Sequence, residues 1–273
     1  MIVVEDLVHI YPGGTRAVDG VSLRIDVGER VAIVGQNGSG KSTLVRHFNG
    51  LLRPTEGRVL IDGVDAATLR VAELAGKVGL AFQDPDRQIF SGKVRSEVAF
   101  GPRNMRLAKD QVERRVDEAL AAAGLSADFD ANPYDLGYSR RKLLALASIL
   151  AMRTPVVVLD EPTTGQDARG VARVEEIIAG LSELGRTVIA ISHDMAFVAR
   201  SFSRVVVMRD GAVILDGPPS EVFGEPAWTA LASTYLEPPL PARVGARMGL
   251  GSTPTEDSLV AALAGRAAGS AAP

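Results

Sequence analysis

Residues 35–43 constrain the fold of this chain more than any other segment. They read Gly-Gln-Asn-Gly-Ser-Gly-Lys-Ser-Thr and directly follow the apolar run Val-Ala-Ile-Val at 31–34. This is the pattern G-x-x-x-x-G-K-[ST] between a buried strand and a helix, in which glycines let successive backbone N–H groups curl around phosphates. We predict a helix from Lys41 to about Asn49, whose N-terminal dipole faces the same anion. The segment therefore predicts a phosphate-binding loop for a nucleoside triphosphate.

The polar residues of this loop have separate expected tasks. Lys41 places a positive charge at the β- and γ-phosphates, and the Ser42 hydroxyl is placed to hold Mg²⁺. A glycine-rich turn without a ligand is the alternative, and the complete pattern in this setting disfavours it. The residues expected to bind the nucleotide phosphates are Gly35, Asn37, Gly38, Ser39, Gly40, Lys41, Ser42 and Thr43.

Composition excludes several function classes. The chain has no cysteine, which excludes disulfides, thiolate metal sites and cysteine nucleophiles. Its net charge of −3 gives no electrostatic case for a nucleic-acid partner. The first residues lack the charged and apolar regions of a signal peptide, and no stretch approaches about 18 uninterrupted apolar residues. We expect the chain to fold in the cytoplasm and to reach a membrane only through a partner.

Strands alternate with helices along most of the chain, which predicts an α/β fold with a largely parallel sheet and crossover helices. The predicted strands are 2–10, 21–25, 31–34, 58–63, 78–82, 156–159, 187–191, 205–208 and 212–215. Beyond the helix at Lys41, the predicted helices are 94–123, 139–152 and 168–184.

The predicted domains follow from this pattern. Residues 1–235 form one domain, with a helical subdomain inserted at about 90–153. The Pro-, Ala- and Gly-rich residues 236–273 are expected to be loosely ordered or to contact a partner, with a short helix at 258–266.

Two carboxylates end the strand at 156–159. Asp160 is expected beside the phosphate loop, where it can hold Mg²⁺, often through water. Glu161 follows at the position that can polarise the water attacking the γ-phosphate. Strands also end in acidic turn residues for purely structural reasons, but the upstream phosphate loop favours the catalytic interpretation.

Three further side chains, those of His193, Gln83 and Tyr11, come at the ends of predicted strands. His193 comes after the strand at 187–191, and its place at the carboxyl end of a strand favours contact with the γ-phosphate. His9 and His47 are expected to be structural. Gln83 can bridge metal and water, and Tyr11 can stack on an adenine ring; in isolation each is equally compatible with a structural role.

Gly35–Thr43, Gln83, Asp160-Glu161-Pro162, Asp167 and His193 occur in the order and spacing of an ABC transporter nucleotide-binding domain, which the chain resembles over about residues 1–225. That resemblance implies a P-loop NTPase fold of ABC type with a mixed core sheet, an N-terminal antiparallel β subdomain and an inserted helical subdomain. Residues 82–90, Phe-Gln-Asp-Pro-Asp-Arg-Gln-Ile-Phe, and 97–102, Glu-Val-Ala-Phe-Gly-Pro, resemble the ATPase of energy-coupling factor (ECF) importers.

The resemblance implies an Mg²⁺-dependent ATPase at the cytoplasmic face of the membrane, powering uptake of a vitamin or transition-metal ion. Its partners would be a second ATPase, a transmembrane coupling subunit that contacts the surface near Gln83, and a separate substrate-binding membrane subunit. The ATPase of another ABC transporter is one alternative. A soluble ABC protein of translation or DNA repair is disfavoured, since there is one nucleotide-binding domain and no basic patch.

The resemblance also implies individual roles. Tyr11 stacks on adenine, Ser42 and Asp160 hold Mg²⁺ with help from Gln83, and Glu161 is the catalytic carboxylate. His193 stabilises the γ-phosphate. Asp167 lies in a loop that crosses the interface of a dimer enclosing two ATP molecules.

One element departs from the family pattern. The signature Leu-Ser-Gly-Gly-Gln falls at Leu136, Gly137, Tyr138, Ser139 and Arg140, where only the leucine is kept. The signature presents a serine hydroxyl and glycine N–H groups to the γ-phosphate of the opposite subunit, but Tyr138 adds bulk there. Ser139 can still cap the helix or offer its hydroxyl, and Arg140 can supply charge. The segment is either an altered working clamp or the cause of one weak ATP site, which would require a heterodimer. We favour the heterodimer.

Overall fold

The computed structural model describes residues 1–270, and their side chains as far as residue 267. The strands are β1 (Ile2–Ile10), β2 (Arg16–Ile25), β3 (Arg30–Val34), β4 (Glu56–Ile61), β5 (Val64–Asp65), β6 (Val78–Ala81), β7 (Val156–Asp160), β8 (Thr187–Ile191), β9 (Arg204–Arg209) and β10 (Ala212–Gly217). The α-helices are α1 (Lys41–Phe48), α2 (Val71–Ala75), α3 (Val94–Asn104), α4 (Lys109–Ala122), α5 (Tyr138–Met152), α6 (Ala168–Glu183), α7 (Met195–Ser201), α8 (Pro219–Val222), α9 (Trp228–Ala232), α10 (Leu240–Arg247) and α11 (Glu256–Ser270).

The strands form two sheets. The core sheet has the order β10-β9-β3-β8-β7-β6, in which only β10 runs antiparallel to its neighbour. The second sheet, β2-β1-β4-β5, is antiparallel throughout. The mixed core sheet, the antiparallel N-terminal sheet and the helical insert are therefore all present as predicted.

The core strands are apolar on both faces because both faces are covered. Side chains alternate along a strand, so Val157 and Leu159 of β7 join one apolar cluster, which includes the helices of the insert. Val156 and Val158 join the other cluster, which includes the N-terminal sheet. The sheet is thus held between two hydrophobic layers.

The parallel pairing decides where the functional residues gather. Strands β3, β6, β7 and β8 run in the same direction, so the segments that follow them leave the sheet at one edge. Those segments contain the phosphate loop, Gln83, the carboxylates Asp160 and Glu161, and His193.

The prediction of one helix at 94–123 is wrong, because the structure has two helices there. Helix α3 ends at Asn104, and Arg106 has a left-handed backbone with φ of 57° before α4 begins at Lys109. This break lets α3 and α4 each contact α5. Periodicity alone does not reveal it because both helices carry an amphipathic pattern.

The C-terminal segment is more ordered than composition suggests. Leu236 and Ala242 are buried, and the buried Thr253 donates a hydrogen bond of 2.7 Å to the Pro241 carbonyl. The helix predicted at 258–266 lies inside the longer α11. Residues 236–253 are therefore packed rather than loosely ordered, contact with a partner stays a prediction, and residues 271–273 lie outside the described residues.

Candidate nucleotide site

A cleft of about 320 Å³ opens at the carboxyl edge of the core sheet. It brings together nearly all the predicted phosphate and catalytic residues, while Gly35 and Ser39 belong to the same loop but do not line it. The lining residues are Tyr11, Thr15, Arg16, Ala17, Asn37, Gly38, Gly40, Lys41, Ser42, Thr43, Gln83, Asp160, Glu161, Ile191 and His193.

The loop backbone requires glycine at its two ends. Gly35 has φ of 148°, and a Cβ atom there would lie 2.1 Å from the Met208 carbonyl oxygen. Gly40 has φ of 98°, and its Cβ would lie 2.2 Å from the Ala17 carbonyl oxygen. Any side chain would displace the loop from β9 or from β2, so these glycines fix its path. Helix α1 begins directly after Gly40, which directs its free N–H groups at the cleft.

The Lys41 ammonium is buried and held by the loop itself. Its Nζ donates hydrogen bonds of 2.7 Å to the Gly35 carbonyl and 2.9 Å to the Gln36 carbonyl. Burial lowers the pKa of Lys41, and the nearby carboxylates of Glu161 and Asp160 oppose that shift. The loop therefore holds the buried Lys41 ammonium at the place where phosphate oxygens are expected.

Two buried carboxylates face this cation. Asp160 and Glu161 are each 5% exposed, and Asp160 Oδ1 accepts no hydrogen bond within the described part of the chain. Burial raises the pKa of both groups; the Ser42 hydroxyl, which hydrogen-bonds to Asp160, opposes the shift there. An unpaired buried oxygen is costly, and at a cleft it is suited to coordinate a cation.

Glu161 is held in an uncommon backbone conformation. Its φ is 52°, in the left-handed region that a glutamate rarely adopts, and its N–H donates a 2.9 Å hydrogen bond to the Ile191 carbonyl at the end of β8. His193 Nε2 lies 3.0 Å from Glu161 Oε1. Burial lowers the pKa of His193, and the charge of Lys41 adds to the effect, so the imidazole is neutral at pH 7.

Oxygen donors suited to Mg²⁺ meet in this cleft. The Ser42 hydroxyl, the free Oδ1 of Asp160 and the exposed Gln83 amide are hard ligands of the kind that Mg²⁺ takes alongside water and phosphate oxygens. The residues present therefore fit this ion.

Tyr11 lines the cleft and is already engaged by the loop. Its hydroxyl lies 3.1 Å from Thr43 Oγ1, and its ring packs edge-on against His9 with centroids 4.7 Å apart. His47 Nδ1 donates a 2.7 Å hydrogen bond to the Thr43 carbonyl, and its Nε2 lies 3.1 Å from His9 Nδ1. The structural interpretation of both buried histidines is confirmed, whereas stacking of Tyr11 on adenine stays a prediction.

Residues 136–140 lie apart from this cleft, at the start of α5. Gly137 caps the helix, and the Tyr138 ring covers Gly165, where a Cβ would lie 2.6 Å from ring atom Cε1. The Ser139 hydroxyl donates to Gln166 Oε1, and Gln166 Nε2 donates a 3.1 Å hydrogen bond back to the Ser139 carbonyl.

The other polar groups near this segment are also used within the chain. The Arg140 guanidinium forms an ion pair with Asp128, and Leu136 is buried. Asp167, expected in a loop of the dimer interface, caps α6 by accepting a 2.8 Å hydrogen bond from Gly170 N–H.

Sequence reasoning missed Lys142, which links α5 to the loop that begins with Glu161. Its buried Nζ donates to the Glu161 carbonyl and, at 2.9 Å, to the Thr164 carbonyl. Burial lowers the pKa of Lys142 to about 8, against the attraction of the Glu161 and Asp160 carboxylates. A lysine at the head of an otherwise apolar helical run was the available signal. Residues 15–17, also missed, follow the Gly-Gly turn after Tyr11.

The chain matches a known protein family and is similar to several known proteins. The family profile described as ABC transporter matches residues 18–164. The energy-coupling factor transporter ATP-binding protein EcfA of Methanothermobacter thermautotrophicus is 43% identical over 238 residues, which cover 86% of this chain and 76% of that protein. Other relatives are longer, and the chain spans as little as 39% of the length of one of them.

The chain is also similar to solved structures of ABC proteins. The structure of cbiO1 from Clostridium perfringens, part of the ABC transporter complex cbiONQ, is 39% identical with a TM-score of 0.76, covering 91% of this chain and 98% of that one. A dimeric post-hydrolysis state of the ATP-binding cassette MJ0796 bound to ADP and Pi is 27% identical with a TM-score of 0.74, covering 80% and 98%. Among the described residues, no helix has the length and apolar character needed to cross a membrane.

Proposed function

The chain belongs to the ABC transporter family, and from this premise we propose that it is the ATP-hydrolysing motor subunit of an ECF-type importer. The observation that carries this function is the cleft in which an intact phosphate loop faces two buried carboxylates, one of which, Asp160, has an unpaired oxygen. Such an arrangement binds a triphosphate and activates water against it, which is the chemistry of ATP hydrolysis.

The phosphate loop supplies binding and orientation. Its N–H groups and the N-terminus of α1 surround the triphosphate, and Lys41 exchanges the Gly35 and Gln36 carbonyls for phosphate oxygens. Tyr11 supports the adenine. Ser42, Asp160 and Gln83 would hold Mg²⁺, which would neutralise charge on the phosphate oxygens.

The carboxylate of Glu161 accepts the proton of the attacking water. Its raised pKa brings this base closer to neutral pH, where proton transfer is more effective. Neutral His193 has a single N–H, which on Nε2 faces Glu161 Oε1 at 3.0 Å, and we assign this N–H to the γ-phosphate once the nucleotide is bound. The N–H of Glu161 is fixed to β8, which holds the base in register with the sheet.

The Glu161→Gln substitution tests this assignment. It keeps the shape of the side chain but removes the base, so we expect hydrolysis to fall by about 10²- to 10⁴-fold while ATP affinity is retained. Hydrolysis is measured as phosphate release, and affinity by titration. Glu183→Gln, at an exposed carboxylate outside the cleft, is the matched control. Phosphate release that is unchanged in Glu161→Gln would refute the role of this carboxylate.

We further propose that the working unit is a heterodimer with a second ATPase that carries a regular signature. The support is that Ser139, Arg140 and Tyr138 already make contacts inside this chain. In the heterodimer this chain's phosphate loop and Glu161 meet the regular signature of the partner. Rapid hydrolysis by the purified chain alone, lost in Glu161→Gln, would count against this arrangement and favour a homodimer.

The membrane partner is assigned to the surface that follows Gln83. Phe90 and Phe100 are 59% and 47% exposed, and their rings meet edge to face at 4.7 Å. Exposed aromatic pairs are typical of interaction sites. We assign this surface, at the cytoplasmic face of the membrane, to the transmembrane coupling subunit, with a separate membrane protein binding the vitamin or metal ion.

Removing these rings tests the membrane assignment. We expect Phe90→Ser combined with Phe100→Ser to abolish co-purification with the coexpressed transmembrane subunit, because the exposed rings supply most of the apolar contact. ATP affinity should stay the same, since neither ring lines the cleft. Unchanged co-purification would exclude this surface, and the absence of any membrane partner would favour a soluble ABC protein.

A further inference from the structure

A second cleft, of about 530 Å³, lies at the edge of the core sheet opposite the nucleotide site. It is bounded by α4, the end of α5 and α6, and its lining includes Arg153 and Arg186, which precede β7 and β8. The nucleotide cleft contains Asp160 and His193, where the same two strands end. The two clefts are therefore separate, and the catalytic residues take no part in the second one.

The walls of this second cleft are largely apolar and leave room for a ligand. Gly180 of α6 lies in the wall, and a Cβ atom there would meet no atom within 4 Å. A volume of this size suits a small organic molecule with an apolar body. The apolar side chains in the lining are Ala119, Ala122, Leu150, Ile177, Leu181 and Leu184.

The charged residues in the same lining are predominantly positive, with four arginines and two glutamates. Both glutamates are already paired, Glu118 with Arg153 and Glu176 with Arg173. Arg115 donates to the last carbonyls of α5, including a 3.1 Å hydrogen bond to that of Met152. No acidic residue of the lining is left for the remaining arginine.

That remaining arginine is Arg186. Its half-buried guanidinium has no ion pair and no side-chain hydrogen bond within the residues that the structure describes. Burial lowers the pKa of Arg186, and the positive charges of Arg153 and Arg115 add to the effect. An unpaired cation beside two others is stabilised by an anion, and its planar fork matches a carboxylate or phosphate.

We propose that this cleft binds an anionic amphiphile, whose carboxylate or phosphate monoester meets Arg186 and Arg115 and whose apolar chain lies along α6 over Gly180. The positive charge of the arginines favours an anionic headgroup, and the apolar wall favours an apolar chain. A soluble fatty-acyl anion and an anionic membrane lipid share this chemistry.

Isothermal titration with decanoate, below its aggregation concentration and with ADP saturating the phosphate loop, tests the proposal. We expect decanoate to bind at least about tenfold more tightly than decanol, because a charge-assisted contact is lost in the neutral analogue. Arg186→Gln should weaken decanoate binding about tenfold, and Gly180→Leu should do so at least as much by filling the cleft.

Arg247→Gln, which removes an exposed arginine outside the cleft, serves as the matched control. It should keep decanoate affinity within about twofold. Retained ADP affinity in every variant establishes that it is folded. The proposal is overturned if decanol binds as tightly as decanoate, or if Arg186→Gln in its folded form binds decanoate like the unmodified chain.

Sedimentation with lipid vesicles separates the two sources. If the natural ligand is a membrane lipid, vesicles containing phosphatidic acid, whose headgroup is a phosphate monoester, should retain the chain and phosphatidylcholine vesicles should not, and Arg186→Gln should lose this retention. If it is a soluble anion, decanoate should bind and neither vesicle should retain the chain.

Discussion

The phosphate loop and the signature segment, 136–140, use their polar atoms in opposite ways. At the phosphate loop, Lys41 is held by carbonyls that a phosphate can replace, and the opposite carboxylate of Asp160 has an oxygen without a partner among the described residues. At the signature segment, Ser139 and Arg140 are already paired with groups of the same chain. The first region is thus prepared for a ligand, whereas the second is committed to internal contacts. An intact motif and a degenerate one are therefore distinguished by which atoms remain free as well as by sequence.

The segment from Glu161 to Asp167 joins the two regions. Lys142 of α5 bonds to the Glu161 and Thr164 carbonyls, and Gly165 and Gln166 contact Tyr138 and Ser139. The altered signature therefore packs against the loop that begins with Glu161. Substitutions at this junction measure how far the two regions depend on each other.

Lys142→Met should have the largest effect on stability. It removes the charge-assisted hydrogen bonds from the ammonium to the Glu161 and Thr164 carbonyls, and we expect a loss of about 3 kcal/mol in the free energy of unfolding at pH 8. Burial lowers the pKa of Lys142 from its ordinary value of 10.5 to about 8 in the folded chain, so the unfolded chain binds more protons between these two pH values. The unmodified chain should therefore gain stability from pH 8 to 10.5, and the variant should lack this gain.

Denaturant unfolding of both proteins across that pH range measures the difference, with Lys109→Met as an exposed control. A stability difference that stays constant with pH would show that Lys142 is not desolvated in the folded chain.

Gly165→Ala should have an intermediate effect. Gly165 has φ of 74°, and its new Cβ would lie 2.6 Å from the Tyr138 ring, so we expect a loss of about 2 kcal/mol. Adding Tyr138→Ala should recover part of this loss by removing the clash, and leave the backbone strain. Thermal or denaturant unfolding of the single and double variants completes the cycle. Strictly additive losses would mean that the ring does not press on the loop.

The sequence predicted the phosphate loop and its flanking elements well because their geometry is local. Glycines at Gly35 and Gly40, an apolar strand and a following helix specify it without help from distant residues. The carboxylates and His193 were located through strand direction, which also follows from local pattern. By contrast, the contact of Lys142 with the Glu161 carbonyl depends on how the insert packs on the core.

The other differences between the sequence predictions and the structure also arise from contacts between segments that are distant in the sequence. The break near Arg106 depends on α3 and α4 both packing against α5, and the order of residues 236–253 depends on their docking. In that segment Gly245 approaches Thr253 so closely that a Cβ would lie 2.0 Å from its Oγ1. Composition describes such a stretch as Pro-, Ala- and Gly-rich, while small residues are also what close packing between segments requires.

Ser139→Ala should have the smallest effect and decides most directly between the two interpretations of the signature. If the Ser139 hydroxyl serves only Gln166, its removal should cost about 1 kcal/mol in the free energy of unfolding, and hydrolysis at the Glu161 site should change by less than about twofold. If the hydroxyl instead serves a partner's γ-phosphate, hydrolysis in the dimer should fall by about 10²- to 10³-fold, as for the loss of a transition-state donor. Phosphate release by the assembled dimer, with Ser182→Ala on α6 as a half-buried control outside the cleft, distinguishes these results. The larger loss would show that the segment 136–140 acts on the partner's nucleotide, and it would remove the main support for the heterodimer.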